Sequence, residues 1–192
     1  MKIIPVKYFE FKNLNLFILI SYTVLKNHHT ISLDSIQFFN KRSDVLKYIE
    51  NNKLYLAKNN ILIENKSENL INLMIDYLSG KKINLYQEIN DLNIEIPFEE
   101  KFSTSFAQKV MKYLTENVKY GEITTYSGIG QAIGSKAYRA IGNVMKSNPL
   151  PLIIPCHRVI RKDGDLGGFM GKMDKEWQTN LKLNLLKIEG SM

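Results

Sequence analysis

Residues 124–160 read TTYSGIGQAIGSKAYRAIGNVMKSNPLPLIIPCHRVI, and the way this stretch is parsed decides the fold of the second half of the chain. Its first part has the texture of two short helices. In TTYSGIGQAIG, Thr124 or Thr125 can cap a helix by accepting from backbone N–H groups of its first turn. SKAYRAIGNVMKSN makes a second helix after a tight break at Gly134. Two short helices with a glycine between them fit the helix-turn-helix pattern, although most such pairs bind no DNA. Pro149, Pro151 and Pro155 then follow within seven residues. Proline fixes φ and removes a backbone donor, so this segment is no helix interior. It delivers Cys156 on a stiff, extended piece of chain.

Cys156 is the only cysteine among 192 residues. The fold therefore rests on no internal disulfide, a reducing compartment is the default, and every multi-cysteine zinc pattern is excluded. His28, His29 and His157 alone make no convincing metal site. Cys156 is then an inert core thiol, a redox switch or a nucleophile, and its neighbours bear on the choice. His157 and Arg158 follow it directly, and a thiol pKa falls beside such groups. On an extended strand adjacent side chains point to opposite faces. For His157 to act as base toward Cys156, a bridging water or a bend in the chain is needed.

The charge pattern points outward from this stretch. The net charge is +7; residues 1–100 carry 12 basic and 12 acidic side chains, whereas residues 101–192 carry 14 and 7. Between Glu122 and Asp163 there is no acidic residue, yet Lys136, Arg139, Lys146, Arg158, Arg161 and Lys162 fall there. A field of one sign attracts a polyanion such as nucleic acid; the plainer reading is a solvated basic face.

Upstream, residues 2–40 read as β, with apolar runs separated by polar turns such as KNHHT. The longest run, residues 14–25, is too short to span a bilayer and reads as a buried strand. Ser43 can cap a helix reaching about Lys58, and Ser67 another ending at Gly80. KINLYQEINDLNIEIPF reads as extended or loop-like. FAQKVMKYLTENV places Phe106, Val110, Met111 and Leu114 on one helical face, and KEWQTNLKLNLLKIEG closes the chain as an amphipathic helix. The fold class is α+β: an N-terminal mixed α/β domain over 1–100 and a mainly helical domain over 101–192.

GEITTYSGIG, AYRAIG, SNPLPLIIPCHRVI, GDLGGF and LLKIEG occur in the order and spacing of the O6-alkylguanine-DNA alkyltransferases, also called methylated-DNA–protein-cysteine methyltransferases. Residues 103–190 resemble that family, with PCHRV after NPxP the most specific element. The first hundred residues match only in general layout. The resemblance implies that Cys156 accepts an alkyl group from O6-alkylguanine, mainly O6-methylguanine, flipped out of double-stranded DNA, once per molecule. His157 would be the water-linked base, oriented by Glu189. Tyr126 would press on the target phosphate and help neutralise the departing guanine. Arg139 would fill the vacated stack, and Asn148 would tie the recognition helix to the active-site segment. The carbonyls of Cys156 and Val159 would read the exocyclic amine of guanine. Gly142 would let its helix lie against the minor groove, and Ser127, Ser135, Lys136 and Lys162 complete the expected DNA-binding set.

Three positions depart from the family pattern. Tyr138 is bulky where many members have a small residue. Phe169 and Met170 stand where many have tyrosine and a small polar residue, so only the Met170 N–H could contact guanine O6. The zinc ligands of some members are absent, and neither a metal nor a cofactor is expected. A cytoplasmic monomer without membrane contact is the expected setting. Two alternatives differ in class: a non-catalytic alkyltransferase-like protein that flags damaged bases, and a Cys-His thiol hydrolase that ignores DNA.

Overall fold

The computed structural model describes residues 4–25, 30–56, 61–171 and 177–192. β1 (Pro5–Phe11) and β2 (Leu16–Val24) pair antiparallel, and β2 pairs antiparallel with β3 (Ile31–Phe39). β2 is buried from Leu16 through Tyr22 because both of its faces are covered. Leu16, Ile18, Ile20 and Tyr22 enter the main apolar cluster, while Phe17 and Leu19 enter a second, smaller one. That double burial is why residues 16–20 are apolar throughout rather than alternating. α1 (Arg42–Asn51) closes the smaller cluster with Val45. β4 (Tyr55–Leu56) adds parallel to β1 at one edge. α2 (Ile61–Leu78) packs Leu70, Met74, Tyr77 and Leu78 into the main cluster.

Three local expectations change. α1 starts at Arg42 behind Lys41 and ends at Asn51, well short of Lys58; the Asn52 side chain donates to Tyr48 O at 2.9 Å and Lys53 takes φ 51°. Ser67 lies inside α2 and caps nothing; its hydroxyl donates back to Glu64 O at 2.9 Å, a common use of a mid-helix serine. The segment expected to be extended contains α3 (Leu85–Asp91), whose N-cap Asn84 accepts from Gln87 N. Leu85 and Ile89, one turn apart, are its buried residues, and so short a stripe carries little periodic signal. β5 (Ile94–Glu95) then joins β3 in parallel, and the sheet order is β4-β1-β2-β3-β5. His28 and His29 of the KNHHT turn lie outside the described residues.

The second half is mainly helical, and the architecture is α+β as expected. After the single turn α4 (Phe98–Lys101), α5 (Ser105–Asn117) is capped by Thr104 and buries Val110, Met111 and Leu114. β6 (Thr124–Thr125) leads directly into α6 (Tyr126–Ala132), which Thr125 caps by accepting from Gly128 N at 3.0 Å. α7 (Tyr138–Lys146) follows a turn in which Gly134 takes φ +70°. The two helices touch at Gly130: a Cβ there would lie 2.5 Å from Ser135 O and 2.7 Å from the Tyr138 ring. β7 (Val159–Ile160) pairs in parallel with β6, and α8 (Trp177–Ile188) closes the fold. The sheet also grips the proline segment, since Ile36 N of β3 donates to Pro149 O at 2.8 Å. No helix among the described residues is long and apolar enough to cross a membrane.

Candidate active site

The proline-rich segment is bent rather than extended at the cysteine. Cys156, His157 and Arg158 form one turn of 3-10 helix, with Arg158 N donating to Pro155 O at 3.0 Å. The bend replaces the opposed-faces geometry of a strand. Asn148, just after α7, fixes the turn from the side. Its Nδ2 donates to Ile154 O at 2.9 Å and to Cys156 Sγ at 3.1 Å, and its Oδ1 accepts from Leu150 N at 3.0 Å.

Cys156 is 8% exposed, and its thiol meets a cavity of about 570 Å³. Tyr126, Arg139, Gly142, Phe169 and Met170 share that cavity, together with Tyr138, Lys146 and Arg161. Met170 takes φ +52°, a left-handed conformation that turns the chain at the pocket wall. Burial pushes the Cys156 thiol above its ordinary pKa, against the opposing pull of the Asn148 bond and the Lys182 charge. The neighbouring basic groups were expected to lower it, but desolvation of the thiolate outweighs them. Burial likewise raises the Tyr126 phenol, helped by the charge of Cys156.

Behind the thiol, away from the cavity, sits a closed ionic cluster. His157 is fully buried, and its Nε2 lies 3.0 Å from Glu189 Oε1. Arg158 Nε and Nη2 bind the same carboxylate at 2.8–3.1 Å, and Nη1 donates to Val118 O at 2.7 Å. Burial opposes a charge on Glu189, but bonds from His157 and Arg158 prevail and hold it at about 2. Burial lowers the His157 pKa in spite of Glu189. The resting pair is thus a thiol beside a neutral imidazole. His157 Nδ1 is buried with no hydrogen-bond partner among the described residues.

The remaining expected residues are spread over this frame. Ser127 pairs with the Thr125 hydroxyl at 2.9 Å, and Ser135 accepts from Ala137 N at 3.1 Å at the start of α7. Lys136, Arg139 and Lys162 are exposed. Val159 is buried in β7, and its carbonyl accepts from Lys182 Nζ at 2.6 Å. Arg158, counted in the acid-free basic stretch, faces inward and adds nothing to an exposed basic surface. Among the described residues no cluster of His, Cys, Asp and Glu could hold a metal ion.

Two participants were not singled out from the sequence. Tyr77 of α2 hydrogen-bonds Glu189 Oε1 and lies 3.0 Å from His157 Nε2. Lys182 is buried on α8, donating to Val159 O and to Leu166 O at 2.5 Å, and burial lowers its pKa to about 8. A lysine directly after Leu181 on the apolar side of an amphipathic helix was the available signal for Lys182. A tyrosine on the apolar side of α2 is indistinguishable from core, so Tyr77 carried none.

Residues 105–191 match the family model described as 6-O-methylguanine DNA methyltransferase, DNA binding domain. A methylated-DNA–protein-cysteine methyltransferase of Thermococcus barophilus is 34% identical over 161 residues, covering 84% of this chain and 81% of that protein. The rat protein of the same name is 46% identical over 76 residues, 38% of this chain and 36% of its own length. The chain thus spans little more than a third of that relative, and 53% of the Bacillus subtilis constitutive one. The crystal structure of Mycobacterium tuberculosis OGT in complex with DNA superposes with a TM-score of 0.62 at 22% identity, covering 97% of this chain and 93% of that one.

Proposed function

The chain belongs to the methylated-DNA–protein-cysteine methyltransferase family, and on that premise we propose that it repairs DNA by moving an alkyl group from O6-alkylguanine to its own Cys156. The observation that carries the reading is the placement of the thiol. Cys156 opens onto a cavity edged by exposed cations, while a buried imidazole stands behind it with one nitrogen unpaired among the described residues.

In the reaction, Sγ attacks the alkyl carbon, an S–C bond forms as the C–O6 bond breaks, and the bonding pair stays on O6. The guanine takes up one proton, so overall the thiol hydrogen is exchanged for the alkyl group. Because the resting thiol is neutral, its proton must leave during the attack. His157 receives it through a water at Nδ1, while Glu189 holds the opposite ring nitrogen. Asn148 donates to the developing thiolate. Tyr126 presses on the target phosphate and supplies hydrogen toward the departing base. The Met170 N–H faces O6, with Phe169 as the pocket wall and the Cys156 and Val159 carbonyls facing the exocyclic amine.

Duplex binding follows from the helix pair. Gly142 lies against the minor groove, Arg139 enters the stack where the base has left, and Ser127, Ser135, Lys136 and Lys162 meet the backbone. Residues 101–192 carry these steps. The protein works as a cytoplasmic monomer. A thioether is not readily cleaved, so each molecule acts once. Titrating a methylated duplex against a fixed amount of protein tests this: guanine restored should plateau at one equivalent. Continued turnover excludes the stoichiometric mechanism, and binding without transfer favours a damage-flagging protein.

A further inference from the structure

Tyr77 reaches the ionic cluster from the first half of the chain. It lies in the last turn of α2, is 1% exposed, and packs edge-on against Tyr120 with ring centroids 5.6 Å apart. Its hydroxyl is hydrogen-bonded to Glu189 Oε1 and stands 3.0 Å from His157 Nε2. Nε2 and Oε1 are themselves 3.0 Å apart, so the three atoms close a triangle. Arg158 lies across the same carboxylate through Nε and Nη2.

The hydrogens in that triangle can be assigned. The carboxylate is ionised and only accepts. Burial, and then the charge of Glu189, push the Tyr77 phenol well above its ordinary range, so it keeps its hydrogen and gives it to Oε1. The Tyr77 oxygen then has only lone pairs to offer Nε2. Facing two acceptors, Nε2 carries the ring hydrogen and Nδ1 keeps its lone pair. Nδ1 is also the ring atom without a partner among the described residues. A phenylalanine would fill the same space, but it would leave Glu189 one donor short and Nε2 with Oε1 as its one remaining acceptor.

We propose that Tyr77 is a positioning residue for alkyl transfer, its hydroxyl closing the triangle with Glu189 and His157 and so fixing the imidazole with a basic Nδ1 toward the thiol of Cys156. The role rests on the reading of Cys156 and His157 given above. It makes the first half of the chain a contributor to the chemistry as well as to the core.

Tyr77→Phe keeps the ring and removes the hydroxyl. One measurement needs no substrate: nitrogen-15 NMR of the imidazole side chains, of which the chain has three, with His157 identified by its loss in His157→Asn. The full-length protein should show a protonated Nε2 and a bare Nδ1. In Tyr77→Phe the two shifts should move, because Oε1 alone then holds the Nε2 hydrogen. A second measurement is single-turnover transfer at saturating methylated duplex, counted per reactive thiol. The rate should fall roughly tenfold or more, as for a slightly misplaced catalytic group, with unchanged affinity for the duplex. If Tyr77→Phe does not fold, 3-fluorotyrosine at position 77 nearly preserves the shape while making the hydroxyl a stronger donor, and the His157 shifts should still move. Ring nitrogens that stay put in both variants, or a hydrogen found on Nδ1 in the unmodified protein, overturn the role of Tyr77 whatever the transfer rate. An unmodified protein that transfers nothing overturns the alkyl-transfer reading instead.

Discussion

Asn148 Nδ2 stands 3.1 Å from Cys156 Sγ and donates to it, while Oδ1 of the same amide accepts from Leu150 N at 3.0 Å. One side chain therefore stabilises a thiolate and holds the turn that presents it. Asn148→Ala should raise the thiol pKa further, because the bond that opposes burial is lost. It should also leave the buried Leu150 N–H unpaired, at a cost of about 1–3 kcal/mol. The rate of alkylation by iodoacetamide against pH reads the first effect, and urea denaturation reads the second. An unshifted alkylation profile would show that Asn148 serves the turn alone.

Glu189 gives the protein an acid limit. Its folded pKa of about 2 lies below the ordinary carboxylate value, so its contribution is complete above about 4.5 and is lost as pH falls through about 2. At about 1.4 kcal/mol per pH unit, that window is worth about 3 kcal/mol. Burial holds the folded His157 below its ordinary value, so the unfolded chain also gains a proton first on the acid side. Urea midpoints measured from pH 6 to pH 2 should fall steeply below 4.5 for the unmodified protein and much less steeply for Glu189→Gln. Parallel curves would mean that the carboxylate is not depressed.

Much of this was legible in the chain. The longest apolar run became β2, the threonine-capped helix became α6, and three prolines marked the segment that ends at Cys156. What stayed hidden depends on distance in space. Tyr77 and Glu189 are 112 residues apart, and nothing in a helix stripe separates a core tyrosine from one with a partner. Arg158 looked like part of a basic face because a sequence shows charge without direction. The thiol pKa was read from its charged neighbours, whereas burial, which only the fold supplies, sets its sign. α3 was missed because two apolar residues one turn apart make too weak a stripe.

Gly130 and Gly142, one in each helix of the pair, separate packing from binding. A Cβ at Gly130 would lie 2.5 Å from Ser135 O, so Gly130→Ala should destabilise the fold measurably. Among the described residues, a Cβ at Gly142 would meet nothing nearer than the Tyr126 ring at 3.8 Å. Gly142→Ala should therefore keep or slightly raise thermal stability, since alanine is favoured over glycine within a helix by about 0.5–1 kcal/mol. Its affinity for duplex DNA should nevertheless fall, because the methyl group would separate α7 from the groove. Unchanged affinity would remove Gly142 from the proposed interface.

Arg139 is exposed at the cavity edge, where an ordinary phosphate contact and a stack-filling side chain make different demands. Unstacking a base costs a few kcal/mol, and a guanidinium in the gap offsets part of that for duplex DNA alone. Arg139→Ala should slow transfer from saturating methylated duplex severalfold or more, and leave reaction with a free O6-substituted guanine nearly unchanged. Equal losses on both substrates would place Arg139 in support of the pocket. A change in affinity alone would make it a phosphate contact.

The most direct test of the whole account is the mass of the protein after one exposure to duplex DNA containing O6-methylguanine. The account predicts a shift corresponding to one hydrogen replaced by one methyl group, carried by the peptide that contains Cys156. It also predicts that Cys156→Ser binds the duplex but shows no shift. A methyl group on any other peptide, or guanine restored with no change in protein mass, would contradict it.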